Sequence, residues 1–139
     1  EHAARGGLGD ARFPWGDEEP DDDAFTPCNV WQGDFPASNS LLDGFETTAP
    51  ARSFAPNGYG IYNVVGNVWE WTADWYAEDT YRTDTRRNPT GPKTGTEYTT
   101  RGGNAGAALN YMRTSSRDND HPEVGGQHVG FRCARSKAR

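Results

Sequence analysis

The chain has 139 residues, 33% of them hydrophobic, and a net charge of −6. That length holds one domain, spanning 1–139, rather than two. An acidic chain with no basic stripe between its aromatics excludes a nucleic-acid surface, and no apolar run nears the ~20 residues that a bilayer span needs.

Five Trp, six Tyr and six Phe stand beside 17 Gly and nine Pro. Apolar burial is therefore carried by aromatics, and the backbone reads as loops and short strands rather than long helices. In chain order, residues 1–5 predict the last turn of a helix that Gly6 and Gly7 stop. The acidic run 18–23 contains Pro20 and predicts a solvated loop. Residues 29–45 read as an irregular loop organised around Asn29 and Asp43. Residues 61–71 predict a turn leading into a strand, with Trp69 and Trp71 on one side by alternation. Residues 77–95 are polar and predict a surface excursion. Residues 97–101 predict a strand ended by Gly102 and Gly103. Residues 104–128 read as a long, polar, Gly-rich loop system, and 128–134 as a closing strand.

The most informative stretch is 59–75. Three Trp and two Tyr lie among Gly and Asn there, with Glu70 between two indoles. A buried carboxylate is costly without a partner. Asn63, Gly66, Val68 and Glu70 offer an amide oxygen, two backbone carbonyls and a carboxylate, the all-oxygen set that calcium takes. In the competing reading, Asn63 caps a turn and Glu70 meets a buried Arg.

The motifs in order are Ala4-Arg5-Gly6-Gly7, Phe13-Pro14-Trp15-Gly16, Asn29-Val30-Trp31-Gln32-Gly33-Asp34-Phe35-Pro36, Phe54-Ala55-Pro56-Asn57-Gly58-Tyr59-Gly60, Gly66-Asn67-Val68-Trp69-Glu70-Trp71, Arg101-Gly102-Gly103 and Val129-Gly130-Phe131-Arg132-Cys133-Ala134. Together they resemble the formylglycine-generating enzymes, or sulfatase-modifying factors. The resemblance implies an α+β, C-type-lectin-like fold with little regular secondary structure. It places Asn63, Gly66, Val68 and Glu70 at one calcium site. It places Asn29 and Asp43, by side chain, and Val30 and Phe45, by carbonyl, at another, so one or two calcium ions are expected. It also implies that the family domain has a substantial segment before this point. That segment is expected to be cleaved, absent, or supplied by another chain.

The family holds copper on two thiolates in the segment after Arg-Gly-Gly. The resemblance puts Leu109 and Thr114 at those positions, and residues 78–132 contain no Cys. No copper is expected, nor an active formylglycine-generating oxidase, because soft thiolates are what Cu(I) requires. The spacing of Cys28 and Cys133 leaves a disulfide open, and the resemblance argues against one. His121, Glu123 and His128 read as polar loop residues rather than a metal site.

The expected function is a ligand-binding module for a peptide or protein. Trp69, Asn104, Leu109, Tyr111, Thr114 and Asp118 are its candidate ligand-binding residues, in a groove bordered by 104–128. That loop also resembles the variable region of retroelement-diversified display proteins. An oxidoreductase using another metal, and an assembly subunit, are the other readings. An extracellular or secreted setting is preferred. Glu70→Ala is expected to reduce calcium-dependent stability more than Asn29→Ala.

Overall fold

The computed structural model describes residues 1–20, 24–83, 87 and 89–135. Part of the acidic run and part of the polar excursion lie outside the described residues. Helix α1 is one turn, His2–Arg5, ended by Gly6 in the left-handed conformation as its glycines imply. After it the chain runs in loops to strand β1, Trp69–Trp75. A second one-turn helix, α2, covers Thr80–Thr83. Strand β2 is Tyr98–Arg101, a 3₁₀ turn covers Leu109–Met112, and strands β3 and β4 are Arg117–Asp120 and Val129–Gly130.

The four strands form one mixed sheet in the order β3-β2-β1-β4. β1 pairs antiparallel with β2, placing Glu70 opposite Arg101. β4 returns parallel to β1, with Val129 opposite Trp69 and Gly130 opposite Glu70. Aromatic residues hold the central pair together, because large flat side chains pack well across a pleated surface. Trp75 stacks on Tyr98 at 3.9 Å, and Trp71 meets the same ring edge-on at 6.3 Å. Residues 104–128 differ from the loop that composition predicts. They hold the 3₁₀ turn and β3, a polar edge strand (Arg117-Asp118-Asn119-Asp120) whose four intermediate residues show no apolar alternation for sequence reading to detect.

The core is small: Phe13, Cys28, Val30, Val65 and Met112, with Trp15, Ala107 and Leu109 packed against it. Met112 is fully buried. It lies over Gly103, where a Cβ would come within 2.8 Å of the Met112 sulfur. The anchor glycine thus makes room for the turn that follows it. Among the described residues, no helix is long and apolar enough to cross a membrane. Both cysteines are free thiols, Cys28 buried and Cys133 exposed. Burial, with the Asp43 charge adding to it, pushes the Cys28 thiol up to about 12.

Candidate metal centres and binding face

The two oxygen-rich loops pack directly against each other. Gly66 has φ 74°, and a Cβ there would lie 2.3 Å from the Asn29 carbonyl oxygen, so only glycine fits. Beside it, the Asn67 amide donates to Asn29 O at 2.9 Å. Asn67 is itself left-handed, with φ 65°. Its Oδ1 accepts from Ala49 N at 2.7 Å and from Asn29 Nδ2 at 3.2 Å. Its Nδ2 donates to Ala49 O at 3.2 Å. The sequence reading overlooked Asn67 as a member of this network. An Asn directly after a Gly in a turn segment was the available signal, since Asn adopts the left-handed region more readily than most residues.

In the first loop, Asp43 is held by backbone. Val30 N donates to its Oδ2 at 3.2 Å and Phe45 N to its Oδ1 at 2.9 Å. The buried Gln32 side chain accepts the Asp43 amide at 2.6 Å and so fixes the loop's approach. Asn29 is buried and donates Nδ2 to Thr47 O at 2.7 Å as well as to Asn67. Its amide hydrogens are thereby committed. The ion pairs among the described residues do not include Asp43. A carboxylate partly withdrawn from water, with N–H donors but no cation, suits a hard divalent ion.

The second loop is different. Asn63 has φ 46° and donates Nδ2 to Pro50 O at 3.2 Å. Its Oδ1 is buried and has no hydrogen-bond partner among the described residues. Such an orphaned oxygen costs about 1–3 kcal/mol unless something fills the space beside it. A hard cation is one group that could fill that space. Glu70, however, is engaged by Arg132, whose Nε donates to Oε2 at 2.5 Å and whose Nη2 bonds Oε1. The arginine of the competing reading is therefore present, and it is part exposed rather than buried. Both readings of this turn contribute: Arg132 compensates the carboxylate, and the Asn63 oxygen still lacks a partner.

The expected ligand groove is not assembled as the sequence implied. Trp69 is buried at 6%, and Tyr111, 41% exposed, meets it edge-on at 5.8 Å. This pair is brought together, with Tyr111 as the exposed member. Thr114 is 3% exposed. Its hydroxyl donates to Ala11 O at 3.2 Å, its amide donates to Arg12 O at 2.7 Å, and its carbonyl accepts from Arg101. Leu109 packs on the core. Asp118 lies in β3 opposite Thr100, where its Oδ1 accepts from Asn119 N. Asn104 Oδ1 accepts from Gly106 N within its own turn. Thr114 and Leu109 are thus taken up by packing rather than display, because the short, irregular core recruits this loop.

Three clefts stand out on the described surface, and none of Asn104, Leu109, Tyr111 or Asp118 lines them. One of about 530 Å³ is bounded by Thr72, Trp75, Tyr81, Arg101 and Arg117 among others. One of about 410 Å³ is apolar, between Trp15, Phe25, Phe54 and Ile61. One of about 220 Å³ passes Glu70, Arg113, Thr114 and Arg132. In the sequence Arg101 stands out only as the end of a strand and the start of the Arg101-Gly102-Gly103 motif. Half-buried, it donates to the carbonyls of Thr114, Ser115 and Ser116 and so ties β2 to the loop.

Comparison with known proteins agrees with this architecture. Residues 1–137 match the sulfatase-modifying factor enzyme 1-like domain. The chain is 48% identical to a formylglycine-generating enzyme of Thermomonospora curvata, over 96% of this chain and 46% of that protein. It is 36% identical to an inactive C-alpha-formylglycine-generating enzyme 2 of Bos taurus, over 100% of this chain and 42% of that protein. Among solved structures, PvdO from Pseudomonas aeruginosa superposes with TM-score 0.73 at 26% identity, over 94% of this chain and 47% of that one. Treponema denticola variable protein 1 gives 0.65 at 27%, over 93% and 42%. The chain spans about half the length of the curated relatives it matches.

Proposed function

The chain belongs to the sulfatase-modifying factor enzyme 1-like family, and from that premise we propose that this segment is a calcium-held recognition module without the family's copper chemistry. One observation carries the reading. The resemblance sets two side chains against the copper thiolates: Leu109, packed on the core, and Thr114, buried with its hydroxyl and amide both bonded to the 11–12 segment. Neither side chain can ligate Cu(I), and no Cys lies between 78 and 132. Relatives with matches of similar length include a formylglycine-generating enzyme and one named inactive, so the reading rests on these side chains rather than on overall likeness.

Calcium would be held by Asn29, Val30, Asp43 and Phe45 in one loop and by Asn63, Gly66, Val68 and Glu70 in the other. It supplies charge compensation and rigidity to a fold that is mostly loop. The orphaned Asn63 oxygen and the unpaired Asp43 support this. The ligand is a peptide or protein, met by the exposed face around Tyr111, with Trp69 bracing the ring from beneath. The likeness to a variable protein supports a display role for that face.

The experiment mixes the purified chain with copper(I), oxygen and a Cys-containing sulfatase peptide, and assays for aldehyde by mass spectrometry. The expected result is unchanged peptide. Aldehyde formed in proportion to enzyme would end the reading.

A further inference from the structure

We propose that Arg132 is a positioning residue for the Asn63–Glu70 turn, and that through it this cation site and the closing strand β4 form and melt as one unit. The inference rests on the calcium reading of that turn. Arg132 reaches back across 62 to 70 positions of sequence. Beyond its paired contact with Glu70, Nη1 donates to Tyr62 O at 3.0 Å and Nη2 to Asn63 O at 2.9 Å. One planar guanidinium therefore fixes the carboxylate and the two carbonyls flanking the left-handed Asn63 backbone. Fixing that backbone also fixes where the Asn63 oxygen points, which is into buried space with no protein partner. Two residues earlier, Gly130 pairs with Glu70, and Trp69 N donates to His128 O at 2.8 Å. Strand pairing places Arg132, and Arg132 places the turn.

Charge repulsion between a guanidinium and a dication opposes this role. The Arg132 side chain is 41% exposed, so solvent and salt screen its charge, and Glu70 already neutralises it. Losing the donors releases a carboxylate, two carbonyls and a left-handed turn together. Ordering is therefore the larger effect. Partners that orient metal ligands are worth ~10–100-fold in affinity.

Terbium(III) tests this, since it substitutes for calcium and luminesces when excited through a nearby indole; Trp69 and Trp71 flank Glu70. In an Asp43→Asn background, where the turn is the remaining site, Arg132→Gln should weaken terbium binding by ~10–100-fold. Arg132→Lys should fail to restore it, because an ammonium cannot make the forked contact. In the same Asp43→Asn background, adding EGTA to the calcium-loaded protein should speed amide exchange at Trp69 and Val129. With Arg132→Lys, EGTA should leave those two amides unaffected. Equal or tighter binding by Arg132→Gln, or exchange at Val129 indifferent to calcium in a chain that binds it, would overturn the inference. If Arg132→Gln does not fold, Arg132→Lys alone decides by the same measurements. A wild-type chain that binds neither ion defeats the calcium reading beneath, and this inference with it.

Discussion

The two oxygen-rich loops lie back to back, Gly66 against Asn29, yet they balance their acids in different ways. Around Glu70 the chain supplies its own cation, Arg132. Around Asp43, among the described residues, it supplies only the amides of Val30 and Phe45. An internal arginine makes a half-buried carboxylate tolerable without metal. Where no such residue stands, the metal has more to contribute. Dependence on calcium should therefore concentrate at the Asn29–Asp43 loop, the reverse of the order that sequence reading suggested.

The largest effect should come from breaking what the loops share. Asn67→Ala removes three side-chain hydrogen bonds and puts at φ 65° a residue that adopts the left-handed region less readily than Asn. We expect a loss of about 3 kcal/mol, read by urea denaturation with and without calcium. An unchanged midpoint would mean that the loops are independent. Next, Asp43→Asn should abolish most of the chelator-sensitive part of the melting temperature, while Glu70→Gln should leave more than half of it. Finding the two reversed would restore the original ranking.

Smaller effects sharpen the contrast from outside the loops. Tyr111→Ala should cost about 1 kcal/mol, the worth of one edge-on aromatic contact, with no change in calcium dependence. At neutral pH the buried thiol should be silent. Native protein should react with one equivalent of a thiol reagent, at Cys133, and with two only when unfolded. The folded pKa of Cys28 lies at about 12, above its ordinary value of 9.0. Its contribution is therefore complete below pH 9 and declines between pH 9 and 12. Cys28→Ala should flatten that alkaline decline in a pH series of melting curves.

Much of this was legible in the residues. Gly6 and Gly7 announced the end of α1, the alternating indoles announced β1, and the ordered motifs announced the family. Local chemistry fixes those features. β3 was not legible, because Arg117-Asp118-Asn119-Asp120 has no apolar alternation and is a strand only because β2 offers it an edge. Nor was the packing of Leu109 and Thr114, since much of the core that Leu109 meets and the 11–12 segment that Thr114 bonds lie far away in the chain. The candidate metal ligands could be named in advance, but their charge balance could not, since Arg132 arrives from 62 positions away.

The central proposal is that oxygen donors, not sulfur, would hold a stabilising ion in this fold. The direct measurement is the melting temperature of the unmodified chain in EGTA and across a calcium titration. At a hundredfold excess over the dissociation constant, binding adds ~2.7 kcal/mol, so a rise of about 10 °C is expected there, increasing with the logarithm of calcium concentration. A melting temperature indifferent to both EGTA and calcium would contradict the account.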